Sequence, residues 1–293
     1  GLLWAALPRL MPGATGRERA VLAAGVAVAC TETTRHAVRW VVERHQARGP
    51  LSRLFAEMAD VEDMIPMLAT AVIFALNPAP GSPLPGGAAA PLSLGLGAGM
   101  GLLTSALLGK EFRLDESWRL LLGTSLLTIG LSIEAKMSPL TPLFAMGVAL
   151  SATSRHRLEI VAMTAPTERT ILLPAMLVAG ARLDLTSSAL VPLIAGLAVA
   201  ARLGSKLLCG LGLRAAMPEA RGSRPWVGLG LVSSGGLAMS IGLAFDLRFA
   251  GLLGDAVLAS AAAATLVGEF IGPPALKAAL AQGGEIPAEA GRS

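Results

Sequence analysis

Apolar runs of roughly 20 residues, parted by short polar breaks, set the rhythm of this chain. A helix of that length crosses a 30 Å hydrocarbon core, because it rises about 1.5 Å per residue. Cut at charges and at Pro and Gly, the pattern predicts a partial segment at 2–10 and then nine spans. They fall near 18–43, 51–77, 88–109, 117–134, 137–153, 167–182, 187–213, 224–246 and 253–281. The run at 137–153 is short, and 167–182 opens with Thr-Glu-Arg. A transmembrane barrel would need ten-residue segments of alternating polarity, and none stands out. The expected fold class is an all-α, polytopic membrane helix bundle over 1–281. The remainder, "QGGEIPAEAGRS" at 282–293, reads as a loose tail.

Composition agrees with the pattern. The 293 residues are 53% hydrophobic and only 15% charged, where a soluble domain carries about 25% charged residues. The net charge of +4 does not point to nucleic acid, because Tyr is absent and no basic patch carries interleaved aromatics. The basic residues sit in short loops instead. With nine alternating spans, the loops at 43–53, 110–117, 153–159 and 213–224 hold ten Lys and Arg, and the opposite loops hold five. The positive-inside rule then puts the first set and the C-terminus in the cytoplasm, and the expected location is the plasma (inner) membrane. Cys30 and Cys209 stand alone in apolar runs, without metal-ligand spacing. The chain opens inside an apolar stretch and without Met, so further helices are expected before Gly1.

Four stretches interrupt the apolar pattern with chemistry. "ADVEDMIPML" brings Asp60, Glu62 and Asp63 together. If a helix began at Asp60, its apolar part, Met64 to Leu76, would cover only about 20 Å. Pro66 suits the first turn of such a helix. A helix over 51–77 spans fully and puts Asp63 about 18 Å along it, near mid-membrane, where a carboxylate is functional by default. Asp60 lies nearer the cytoplasmic end, as a near-surface charge. In "VAVACTETTRHAV", Thr31, Glu32, Thr33 and Thr34 cut a run. Either the helix breaks there and frees carbonyls toward a cavity, or the run ends near Cys30 and a polar loop follows. In "VAARLGSKLLCGLG", Arg202 and Lys206 share a helix face, and either could snorkel to the cytoplasmic surface. In "GLVSSGGLAMSIGLAF", Ser-Ser-Gly-Gly in mid-run is a break or a small-residue packing face.

In this order, the motifs resemble those of the cation–proton antiporter superfamily, the monovalent cation:proton antiporters. "ACTETT" resembles the break of the first discontinuous helix, and "ARGPLSRLFAEMADVEDMIPML" the next helix with its paired acids. "LPAMLVAGARLDL" is similar to a segment usually written with Phe-Phe. "RLGSKLLCG" resembles the Gly-Lys helix of bacterial sodium–proton antiporters, and "GGLAMSIGLAF" their second broken helix. "EFIGPPALKAALAQGGE" is similar to the last helix of the potassium-efflux branch. The resemblance implies inverted repeats with two discontinuous, crossing helices, and about two and a half further helices before Gly1. It implies that Asp63 binds ion and proton, that Glu62 precedes it as the acid paired with Lys206, and that Thr31 and Glu32 form the first break. Ser234, Gly235 and Gly236 would form the second. The transported cation, Na+ or K+, would sit at Asp63 with Thr31. No cofactor and no catalytic residue is implied, and the partners are the cation, protons, the bilayer and a second copy in a homodimer. The chain departs from the pattern with Glu at 62, with no Pro after Glu32, and with Ala175-Met176 for Phe-Phe.

The expected function is exchange of a monovalent cation for protons by alternating access. The alternatives are a gated potassium-efflux channel or uniporter on the same scaffold, or an inactive structural membrane subunit. An intramembrane enzyme is disfavoured. Ser233 and Ser234 have no His near them in sequence, and His36, His45 and His156 fall at or near predicted loops.

Overall fold

A computed structural model describes residues 2–77, 88–108 and 114–287, with the side chains of 2–3, 114–115 and 165–172 outside the description. The "NPAPGSPLPGG" stretch from 78 on, part of the 110–117 loop and the end of the tail therefore lie outside the described residues. The chain forms two compact units, Gly1–Pro66 with Met176–Ser293, and Met67–Ala175. Every described element is helical. They are α1 (Leu2–Leu10), α2 (Gly16–Ala29), α3 (Arg35–Arg44), α4 (Pro50–Glu62), α5 (Met64–Leu76), α6 (Ala89–Leu108) and α7 (Leu114–Glu134). Then come α8 (Leu140–Thr153), α9 (Arg157–Ala181), α10 (Leu190–Ala216), α11 (Gly236–Arg248) and α12 (Leu252–Gln282). Two 3-10 segments, Pro218–Ala220 and Pro225–Leu231, lie between α10 and α11.

Most predicted runs become helices with shifted ends. The run at 167–182 is the second half of α9, which starts at Arg157, a residue expected in a loop. The expected span 51–77 is two helices, α4 and α5, meeting at Asp63. Pro66 explains the joint. It has no N–H for the Glu62 carbonyl four residues back, and its ring crowds that carbonyl. So α5 does open with Pro66 in its first turn, as a short helix would, but α4 leads straight into it.

Among the described residues, α6, α10 and α12 are long and apolar enough to cross a membrane. The segment Pro225–Leu231 and α11, bent by 66° at a short break, would make a fourth span. Large apolar side chains stand exposed along many helices, Phe270 at 80% and Leu177 at 75% among them. Such a surface suits lipid rather than water.

In the unit Met67–Ala175, α6 packs on α8 through glycines. A Cβ at Gly97 would collide with the Pro142 carbonyl, and one at Gly101 would lie 2.5 Å from the Met146 carbonyl oxygen. In α7, the buried hydroxyls of Thr124, Thr128 and Ser132 donate back to Leu120, Thr124 and Thr128, at 2.9, 2.7 and 2.6 Å. Leu108, Leu121, Leu150 and Ile160 form a small apolar cluster.

The other unit holds the candidate site. The core of one end joins α3, α4, α10, the segment Pro225–Leu231 and α12 through Val38, Leu51, Phe55, Leu213, Leu231 and Leu280. Gly210 of α10 and Gly228 of the 3-10 segment meet so closely that a Cβ on Gly210 would lie 2.5 Å from the Gly228 nitrogen. Of the tail expected to be loose over 282–293, residues 282–287 are described, Gln282 ends α12, and Glu285 is only 7% exposed.

Candidate functional site

The two interruptions face each other. Helix α2 stops at Ala29, and the chain runs without helix through 31–34 before α3 begins at Arg35. The second gap, 232–235, separates Pro225–Leu231 from α11. Thr34 N–H donates to the Ser233 carbonyl at 3.1 Å, and Thr33 Oγ1 to the Leu231 carbonyl at 2.8 Å. Helix α12 presses on the same place. A Cβ on Gly268 would lie 2.6 Å from the Val232 carbonyl oxygen, and Ser233 Oγ donates to the Gly268 carbonyl at 3.4 Å. Gly235 has a reason too, since a Cβ there would lie 2.8 Å from Thr34 Oγ1.

Broken helices leave unpaired N–H groups at one end and unpaired carbonyls at the other. Both kinds are met here by buried charges. The Glu32 carboxylate accepts from Gly235 N–H at 2.9 Å, Ala238 N–H at 3.0 Å and Ser234 Oγ at 3.3 Å. It therefore caps the positive end of α11. Arg202 meets the opposite need. Its guanidinium donates to the carbonyls of Cys30 and Glu32 in the first gap and of Val232 and Ser233 in the second. Arg202 is 4% exposed and Lys206 6%, so neither snorkels. Their carbonyl and carboxylate partners lie inward, which is why both side chains stay in. Ser234 and Gly235 lie in the second gap, and Gly236 opens α11.

Glu62 and Lys206 form a second ionic contact. Lys206 Nζ donates to Glu62 Oε1 at 2.6 Å and to Thr33 Oγ1 at 2.7 Å. One lysine thereby ties the end of α4 to the first gap. A cavity of about 790 Å³ opens beside this contact, and Thr31, Glu62, Arg202 and Lys206 are among its lining residues. Thr31 donates its hydroxyl proton to the Ala27 carbonyl at 2.6 Å.

Asp63 stands at the α4–α5 joint as the C-cap of α4. Its Oδ1 is buried and has no hydrogen-bond partner among the described residues, and the same holds for Glu62 Oε2. Asp63 feels the charges of Glu32, Arg35, Glu62 and Asp60. It is not among the residues lining the cavity, so Thr31 and Asp63, expected to share one cation, are not brought together by the described contacts. Asp60, expected as a near-surface charge, is half exposed and forked by Arg39 at 2.9 Å to each oxygen. Among the described residues, no group of three His, Cys, Asp or Glu could hold a metal ion.

Sequence reading missed the double role of Arg202. Its place one turn before Lys206 was a usable signal, because two buried cations on one face call for two sets of partners. Glu285, whose carboxylate accepts from Leu51 N–H and Ser52 N–H at the start of α4, had no local signal at all. No protein-family model matches the sequence, and no curated protein matches it.

Proposed function

We propose that this chain is a secondary active transporter that exchanges a monovalent cation, Na+ or K+, for protons by alternating access. Ion and proton compete for Asp63. The observation that carries this reading is the paired break. Two helix interruptions lie against each other, with Glu32 on the N–H end of one and Arg202 on the carbonyl ends of both. Irregular backbone with neutralised ends is tolerated at membrane depth only around a protein-lined or water-filled cavity, and transporters place their sites there. Asp63 adds a carboxylate oxygen that is buried and has no hydrogen-bond partner among the described residues.

In the proposed cycle, Asp63 exchanges its proton for the cation. The Lys206 ammonium holds Glu62 in one state and releases it in another. Nine spans, inverted repeats and a crossing of the two broken helices belong to this proposal, as does a cytoplasmic C-terminus. It is supported by how the ends of one unit group. The starts of α4 and of the segment after α12 meet, while Arg182 pairs with Asp246 and Ser187 Oγ with Asp255, at 2.7 Å, at other helix ends.

The test is cation-dependent proton movement in proteoliposomes, with Na+ and K+ in turn. Asp63→Asn should reduce exchange to the background of empty vesicles, with the protein still folded by gel filtration. Full exchange in that variant would sink the assignment. Cation flux in the wild type with no coupled proton movement would favour the channel or uniporter instead.

A further inference from the structure

Helix α4 carries Glu62 as its last residue and Asp63 as its C-cap, so whatever holds its first turn sets where both acids stand. That first turn has no cap of its own. Residue 49 is Gly and Pro50 occupies the first helical position, without an N–H to satisfy. The next donors, Leu51 N–H and Ser52 N–H, both go to Glu285, at 2.6 Å on Oε1 and 2.7 Å on Oε2. One carboxylate thus takes two orphan donors at the positive end of the helix. Arg48 N–H also donates to the Glu285 carbonyl at 2.9 Å.

The approach is built from both sides. Glu285 leaves α12 through Gly283 and Gly284, the latter at φ +71°, a left-handed turn that suits glycine at a helix end. Gly49 leaves the room, since a Cβ there would run into the Glu285 carboxylate. Leu51 and Leu280 pack in one apolar cluster next to the contact.

We propose that Glu285 is a positioning residue for the ion site, pinning the first turn of α4 to the end of α12. The inference rests on the transport reading above. Helix α4 is then held by a carboxylate at each end, Glu285 at its start and Glu62 on Lys206 at its finish. The second contact opens in the proposed cycle and the first does not. A rigid helix of 13 residues, about 20 Å long, then swings about its pinned start and carries Glu62 and Asp63 with it. A displacement of the segment after α12 moves the acids in turn.

A capping residue of purely structural value could be replaced by a local cap, and this separates the two roles. Glu285→Gln removes the charge. Gly49→Asp with Glu285→Ala removes the side chain that a Cβ at 49 would meet and supplies a side-chain cap within the helix's own sequence. All three proteins are purified at full length, and their melting, cation KM and hydrogen exchange are compared. Glu285→Gln should lower the melting temperature, shift the cation KM by roughly threefold or more, and speed exchange at 51–52 and around 57–67. The double variant should recover melting and protection at 51–52 but not the KM or the protection around 57–67. Recovery of everything in the double variant would overturn the proposal, as would a wild-type KM in Glu285→Gln. If the wild type moved no cation, the transport reading would fall, and the exchange pattern around 57–67 would still decide the role of Glu285.

Discussion

The two units keep their helices together by different chemistry. Around α6, α7 and α8, glycines let backbones touch and hydroxyls are satisfied within their own helix. Around the two gaps, Glu32, Arg202, Lys206 and Glu62 hold together chain ends that have no helix partner. The first arrangement is close packing, the usual glue of helices in lipid. The second takes charges out of water, which costs several kcal/mol per ion unless each is well partnered. Ionisable residues buried at this cost in membrane proteins mark functional sites by default, and the proposed exchange would give these ions such a role.

The largest effect should come from Arg202→Met. The change roughly keeps the volume but takes the described donor from the Cys30, Glu32 and Val232 carbonyls, leaves the Ser233 carbonyl with Thr34 N–H alone, and removes the cation beside Glu32. Removing one partner of a buried ionic group costs about 3–5 kcal/mol. Arg202→Met should therefore lose both thermal stability and exchange, read by melting in detergent and by proteoliposome assay. Arg202→Lys restores charge without the fork that reaches both gaps, and should recover only part of either. A fully active Arg202→Met would break the comparison at its strongest point.

Gly97→Leu probes the other unit. The new side chain meets the Pro142 carbonyl and the Ala145 methyl, so α6 and α8 must part. Overpacking of this kind costs about 1–3 kcal/mol. Melting should fall, while exchange per folded molecule stays near wild type. Loss of exchange at an unchanged melting temperature would show that the α6–α8 contact belongs to the transport machinery and is more than packing.

Much of this contrast could be read from the sequence, and the part that could not has a physical cause. The helices were visible because a membrane demands long apolar runs, and the gaps because Thr-Glu-Thr-Thr and Ser-Ser-Gly-Gly interrupt such runs. The joint at Asp63 was half visible. Pro66 announces a helix start, but the length needed to cross a bilayer favoured one continuous helix, and both signals act on the same residues. Snorkelling stayed open for Arg202 because its partners are backbone carbonyls far away in sequence, Cys30 at one gap and Ser233 at the other. A backbone acceptor leaves no trace in a sequence. Glu285 caps a helix that begins 235 residues earlier, at Pro50, and its own surroundings, Gly-Gly-Glu-Ile-Pro, look like a loose tail.

The smallest effect should come from removing the Glu62–Lys206 contact as a pair. Each single change strands a buried group. Lys206→Met leaves Glu62 beside an apolar side chain, and Glu62→Gln leaves the ammonium with Thr33 as its remaining described partner. Either should cost about 3–5 kcal/mol, whereas replacing both partners of a buried pair is often close to neutral. The double variant should therefore melt nearer to wild type than either single one, which requires a coupling energy in the double-mutant cycle larger than either single cost, above about 3–5 kcal/mol. Its exchange tells whether the contact is a moving part. If Glu62 and Lys206 only brace α4 against α10, the double variant should transport as the wild type does. If the contact opens and closes in the cycle, its rate should change although its stability has returned. A double variant that loses the sum of the two single losses would mean that Glu62 and Lys206 hold the fold separately, and the ionic region would then resemble the glycine-packed one more than its charges suggest.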